Sequence, residues 1–420
     1  MLSVFGLVLI LNRCRLPLSL ALFIGSLILG LWMDMGIARW AWSLARSMSD
    51  PQTVGLICIV VLILVMSRIM KETGHMDRLV ERFALLSGDP RTVGSVMTAL
   101  IGLLPMPGGA LFSAPMVEIS LAKLRVSPEQ KTLLNYWFRH IWEYWWPLYP
   151  GVVLAVALLE VDTWRYMAVA VPMTGISVLA GAFFILRPMG LPAGKNPARD
   201  LTWSGVRAFL WEIMPILVVA VIILCIALAT TLLDLAGYPV RIRGGLSILP
   251  GLLAGTLWIC LVNRVSARQW KRALLDRGLL PMGILLLAIM AFKGTMVDSQ
   301  AVVQIREELM AYRIPLVLIV MAMPFLSGMV TGVAMGFVGT SFPLIIPMFP
   351  NSYLFEYLSF AALAYTFGYM GMMLSPVHLC FLVTKDYYRA SFLKSYLLLI
   401  KPVLSVMAGV SALFFLTRVL

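Results

Sequence analysis

Leu103-Leu104-Pro105-Met106-Pro107-Gly108-Gly109-Ala110-Leu111-Phe112-Ser113-Ala114-Pro115 is too apolar for a surface loop and too rich in Pro and Gly for an unbroken helix. Pro105 and Pro107 remove backbone donors and forbid regular helix. Gly108 and Gly109 permit a sharp turn and let another group approach the backbone. A short basic connector leads to Asn135-Tyr136-Trp137-Phe138-Arg139-His140-Ile141-Trp142-Glu143-Tyr144-Trp145-Trp146-Pro147-Leu148-Tyr149-Pro150-Gly151, where Arg, His and Glu stand inside a hydrophobic run.

The rest of the chain supplies the setting. It is 61% hydrophobic and 13% charged, with mean hydropathy +0.93. A soluble domain carries about 25% charged residues, so this chain cannot cover itself with polar surface and reads as an integral membrane protein. Backbone groups find no water in hydrocarbon, so helices are the expected spanning elements. The alternating ten-residue units of a barrel are missing from the sequence. The net charge of +13 sits in short loops between apolar segments, which argues against nucleic acid. Cys14, Cys58, Cys225, Cys260 and Cys380 show no paired spacing, so neither a disulfide framework nor a metal site is indicated. His75, His140 and His378 read as too few and too scattered for a metal cluster. Met1 to Leu11 is apolar without a basic n-region or cleavage site, so no cleavable signal is expected. With no nucleotide loop or nucleophile arrangement, the chain does not read as an enzyme.

Spans are expected near 1–11, 16–33, 54–70, 131–158, 166–186, 209–236, 246–262, 278–293, 356–384 and 395–417. Proline- and glycine-broken segments lie near 93–122 and 315–349. Residues 187–208 read as a linker between a first half, 1–186, and a second, 209–420. Segments 12–16, 71–92, 123–131, 187–207, 263–277 and 385–394 carry more than twice as many Lys and Arg as the segments that alternate with them. The positive-inside rule makes the richer set cytoplasmic. This alternation holds only if each broken segment enters and leaves on one side, the first as a cytoplasmic re-entrant hairpin and the second as an external one.

The second half follows the first in element order. Gly108 corresponds to Gly336, Ser113-Ala114-Pro115 to Ser341-Phe342-Pro343, and Pro147 to Pro376. The charge pattern gives the halves opposite orientation, and inverted repeats with interrupted helices at the midplane mark secondary transporters. The expected architecture is therefore an all-α polytopic membrane protein. It has two inverted repeats and about 11–12 hydrophobic segments, including two re-entrant hairpins and two broken transmembrane helices.

A hairpin tip at bilayer depth offers free N–H groups from the following helix, which suit an anion. Unwound carbonyls beside them suit Na⁺, the one metal ion this reading admits. Pro107, Gly108, Gly109 and Ser113 supply these ingredients in the first hairpin, and Gly336, Gly339, Thr340 and Ser341 in the second. Small residues also let helices pack closely, the plainer role for Gly328 and Gly332. Arg139, His140 and Glu143 stand at i, i+1 and i+4, so an unbroken helix would put them on one face. Charge inside a span is costly and usually lines a cavity. Arg139 then attracts an anion, and Glu143 or His140 carries a proton. Asn135 precedes this cluster, and Ser375 and His378 flank the break in the matching span. The surrounding aromatics read as an interfacial belt with some members lining the cavity.

The paired hairpins and broken spans resemble the ion transporter superfamily of citrate, gluconate, dicarboxylate and Na⁺/H⁺ carriers. Three strings are more specific: Leu104 to Pro115, Trp137-Phe138-Arg139-His140-Ile141-Trp142-Glu143-Tyr144-Trp145-Trp146-Pro147, and Met373-Leu374-Ser375-Pro376-Val377-His378-Leu379-Cys380. They are similar to the prokaryotic membrane family called domain of unknown function 401. The resemblance implies a dimerising scaffold, a mobile domain holding both hairpins, and elevator-type alternating access. It also implies an ion-coupled site between the hairpin tips and the breaks. Dicarboxylate carriers of the superfamily have Ser-Asn-Thr at their tips. Here the tips carry no Asn, so neither a di- or tricarboxylate substrate nor that Na⁺ chemistry carries over. The expected protein is a homodimeric, ion-coupled secondary transporter of the prokaryotic inner membrane. It would move a small organic anion with Na⁺ or H⁺ as coupling ion and no other cofactor. The alternative is a cation/proton antiporter exchanging at Glu143 and His140.

Overall fold

The computed structural model describes residues 2–86, 89–106, 109–122, 124–190, 202–238, 240, 242, 245–301, 304, 314–350 and 352–419. Nineteen α-helices and no strand are found among them. In order they are α1 (Leu2–Arg13), α2 (Leu18–Trp32), α3 (Ile37–Ser49), α4 (Pro51–Glu72), α5 (His75–Leu86), α6 (Pro90–Ile101), α7 (Gly109–Ser120), α8 (Pro128–Arg139), α9 (Pro150–Leu159) and α10 (Thr163–Gly181). Then follow α11 (Trp203–Leu235), α12 (Ile248–Val262), α13 (Ala267–Leu274), α14 (Leu279–Asp298), α15 (Leu316–Thr331), α16 (Ala334–Ile345), α17 (Leu354–Met373), α18 (Leu379–Tyr387) and α19 (Phe392–Val419). Among the described residues, five helical stretches are long and apolar enough to cross a membrane: Pro51–Glu72, Thr163–Met189 (α10 continued by a π-helical and a 3-10 turn), Trp203–Leu235, Leu279–Asp298 and Phe392–Arg418.

The interruptions lie where the backbone chemistry demands them. Helices α6 and α7 have 12 residues each, about 18 Å at ~1.5 Å per residue. That falls short of the roughly 30 Å hydrocarbon core. Asp89 and Pro90 start α6, with the Asp89 carboxylate accepting from Arg91 N. Ser127 and Gln130 form a capping box that starts α8. Helix α15 stops at Gly332, whose φ of +66° is left-handed, a conformation glycine adopts at little cost. Residues 140–149 interrupt what would otherwise be one span, and Leu374 to His378 interrupt the other. Two helix pairs, α6–α7 and α15–α16, therefore stand beside two broken helices, α8/α9 and α17/α18.

Contacts between the connecting segments follow the two charge sets. In the Lys- and Arg-rich set Arg91 Nη1 donates to Gly190 O (2.8 Å), His75 Nε2 to Glu212 O (2.6 Å), Arg78 Nη2 to Asn263 Oδ1 (2.5 Å) and Ser391 N to Glu129 Oε1 (3.2 Å). In the other set Gln52 Nε2 donates to Ala157 O (2.9 Å), and Lys293 and Arg418 pair with Glu160 and Glu356. Each contact joins two segments of the same charge set or the helix ends beside them. The 187–208 linker falls largely outside the described residues, at 191–201, and α11 begins at Trp203, earlier than the expected 209.

Candidate functional site

The breaks meet in the protein interior. Arg139, His140, Glu143 and His378 are all buried, with 3%, 2%, 7% and 6% of their surface exposed. Helix α8 ends at Arg139, and His140 is its C-cap. This overturns the expectation of one charged face. The helical rotation stops before Glu143, so the i, i+4 spacing no longer brings Glu143 to Arg139. Arg139 instead points at the first helix pair. Its Nη2 donates to Met106 O (3.1 Å) and its Nη1 to Cys380 Sγ (3.2 Å). The guanidinium lies over Gly109 so closely that any Cβ there would overlap it. The Glu143 carboxylate lies 3.7 Å from His140 Nε2.

The two histidines face each other across the breaks. His140 Nδ1 donates to Tyr136 O (2.5 Å), and His378 Nδ1 to Gly332 O (2.7 Å), tying α18 to the turn of the second helix pair. Their rings are 5.3 Å apart, and the Tyr136 ring stands edge-on to both. Ser375 Oγ donates to Met329 O (2.8 Å) at the same turn. Asn135 Nδ2 donates to Ala110 O (2.9 Å) and Thr384 Oγ1 (3.2 Å). Four buried polar atoms here have no hydrogen-bond partner among the described residues: Arg139 Nε, Asn135 Oδ1, His378 Nε2 and the Tyr144 hydroxyl.

Other expected site residues lie elsewhere or are already occupied. Pro107 and Gly108 fall outside the described residues. Ser113 Oγ back-bonds within α7 to Gly109 O and Ala110 O. In α16, Thr340 Oγ1 donates to Gly336 O (2.8 Å) and Ser341 Oγ to Phe337 O (2.6 Å). Gly336 packs on Thr331 and Gly339 on Ile289. These four residues hold α16 in place and do not reach the Arg139 group. His75 stands apart, at the α5–α11 junction.

The aromatics do more than form a belt. Trp142 Nε1 donates to Ala99 O (2.9 Å), Trp146 Nε1 to Leu103 O (2.9 Å), and the Tyr149 hydroxyl to Gly102 O. The last carbonyls of a helix lack internal partners, and burial forbids leaving them bare. The indole and phenol donors therefore satisfy the end of α6 where it stops inside the protein. Cys380, Tyr136 and Tyr369, whose hydroxyl donates to His140 O (2.7 Å), are site residues that the sequence reading does not include. Cys380 carried a signal, because it follows His378 by two residues at the start of a helix. For His140 and His378 the scatter is one of sequence alone, while His75 stays apart. One ligand atom from each of His140, His378 and Cys380 lies within 4.8 Å of the others.

An all-helical, multi-pass membrane protein with two helix pairs set against two interrupted helices is the class these elements define. The chain belongs to the family described as "Protein of unknown function (DUF401)", whose model matches residues 1–417. No curated protein matches the sequence. Among solved structures, the chain is similar to the YdaH transporter of Alcanivorax borkumensis, reported to have an unusual topology. The TM-score is 0.61 at 14% identity, over 90% of this chain and 88% of that one. A likeness at that identity is one of fold.

Proposed function

We propose that this protein is an ion-coupled secondary transporter of the prokaryotic inner membrane that moves a small organic anion by elevator-type alternating access. The observation that carries this reading is the buried Arg139, held between the end of the first helix pair at Met106 and the second broken helix at Cys380. Its Nε has no partner among the described residues. A full charge inside a membrane protein points to a substrate or ion path. The helix pairs act as re-entrant hairpins of opposite entry, as in inverted-repeat carriers. They and the broken helices form the moving part, and the remaining helices form the scaffold of a homodimer. Na⁺ or H⁺ is the coupling ion. The fold shared with a transporter adds support.

A second reading rests on a different observation. Glu143 is buried beside His140 and makes no pair with Arg139, which leaves a carboxylate and an imidazole free to exchange a proton for a cation. The two readings separate in proteoliposomes. A thermal-shift screen against organic anions first selects a labelled substrate, since a ligand that binds only the folded state raises its apparent stability. Uptake driven by a Na⁺ or proton gradient, lost in Arg139→Ala while the variant remains monodisperse, is expected. Uptake that survives Arg139→Ala makes Arg139 a structural partner and defeats the anion reading. Dequenching of a pH dye by Na⁺ alone, lost in Glu143→Gln, establishes the antiporter instead.

A further inference from the structure

We propose that His140 Nε2, His378 Nε2 and Cys380 Sγ form a binding site for a transition-metal ion of the Zn²⁺ class, with Glu143 as fourth donor. The site is independent of the transport reading, because it follows from ligand geometry alone.

One ring nitrogen of each histidine and Cys380 Sγ lie within 4.8 Å of one another. In a tetrahedral site with Zn–N of about 2.0–2.1 Å and Zn–S of about 2.3 Å, ligand atoms sit roughly 3.5 Å apart. Small side-chain adjustments therefore close the group on an ion. Both imidazoles are already oriented for this. Each commits Nδ1–H to a backbone carbonyl, His140 to Tyr136 O and His378 to Gly332 O. That fixes the tautomer in which Nε2 carries the free lone pair, and it is the outer-shell arrangement that metal-ligating histidines show. His378 Nε2 is buried and has no hydrogen-bond partner among the described residues, so the protein leaves a lone pair unmatched at the centre of the group. The Glu143 carboxylate approaches from the His140 side at 3.7 Å.

The donor set selects the ion. Two imidazoles and a sulfur suit Zn²⁺, Co²⁺ or Cu⁺, whereas Mg²⁺ and Ca²⁺ want oxygen shells. One group opposes a cation: Arg139 Nη1 lies 3.2 Å from Cys380 Sγ. Cysteine ligates metals as the thiolate, and a neighbouring guanidinium is among the surroundings that hold that form. Thiolate and Glu143 carboxylate together outweigh the single guanidinium. Because His140 caps α8 and His378 precedes α18, a bound ion would fasten one broken helix to the other.

The test uses the full-length protein, purified in detergent and stripped of metal, with Co²⁺ as the spectroscopic probe. One equivalent of Co²⁺ is expected to give the visible d–d bands of tetrahedral cobalt and a near-ultraviolet thiolate charge-transfer band, both abolished by added Zn²⁺. Cys380→Ser should remove the charge-transfer band, and His378→Ala should weaken Co²⁺ binding on the order of tenfold or more. Cys260→Ser should change neither. Zn²⁺ should raise the thermal midpoint of the wild type and not that of Cys380→Ser, with size-exclusion profiles confirming that both are folded. Failure to form tetrahedral cobalt, or a charge-transfer band that survives Cys380→Ser, overturns the site. Neither outcome bears on anion uptake, so the two proposals fail separately.

Discussion

Trp146 shows how much a single side chain does in this protein. Its indole N–H is the donor for Leu103 O, one of three aromatic donors that serve the carbonyls where α6 stops. In hydrocarbon an unmatched carbonyl has no water to turn to, and leaving a buried acceptor bare costs about 1–3 kcal/mol. Trp146→Phe removes the donor together with part of the buried ring. We expect a lower thermal midpoint in detergent with the same oligomeric profile. An unchanged midpoint would mean that Leu103 O finds another donor. The charged residues give a companion lesson. Arg139 and Glu143 are four apart and read as a helical pair, yet the helix ends between them and they take different partners.

At the scale of elements, the second helix pair is held against the broken helix by glycine. A Cβ at Gly371 of α17 would meet the Phe325 carbonyl of α15, and one at Gly328 would meet the Gly368 carbonyl. The two backbones touch there without side chains between them, as small residues allow in membrane helices. Gly371→Ala must separate the helices, and overpacking of this kind costs about 1–3 kcal/mol. The expected result is a clear fall in thermal midpoint. Gly175→Ala, where a Cβ meets nothing within 4 Å, should leave the midpoint unchanged. Alanine favours helix over glycine, so a fall of equal size at both positions would show that the loss does not come from the α15–α17 contact. The turn of this helix pair, at Gly332, is also the acceptor for His378, so a shift of α15 carries into the polar centre.

Across the whole molecule, the contacts between connecting segments and the charge pattern divide the loops in the same way. Arg68, Arg268, Lys271, Arg272 and Arg277 line one basic recess of about 580 Å³, and these residues belong to the Lys- and Arg-rich set or to the helix end beside it. Such residues favour the cytoplasmic face. A single reactive cysteine at exposed Arg268 should therefore label with a membrane-impermeant thiol reagent only after the cells are opened. One at Tyr353, 76% exposed, should label in intact cells. Labelling of both from the same side would remove the proposed orientation and, with it, the opposite entry of the hairpins.

Much of this architecture was legible in the chain because lipid makes backbone pairing compulsory. Apolar length announces a helix, and Pro105 and Pro376 announce where helices stop, since these are local backbone properties; Gly332, read as a packing residue, instead ends α15 with a left-handed φ of +66°. Residues 93–122 and 315–349 accordingly became helix pairs, and the span at 131–158 broke after Arg139. The polar centre was legible only in part. Arg139, His140, Glu143 and His378 stood out because charged and titratable groups are rare in apolar runs. Partner choice did not, because it depends on where each helix stops turning and on which distant element lies opposite. Tertiary structure alone sent Arg139 to Met106 and Cys380, bound Thr340 and Ser341 into their own helix, and set His378 and Cys380 beside a histidine more than half the chain away in sequence.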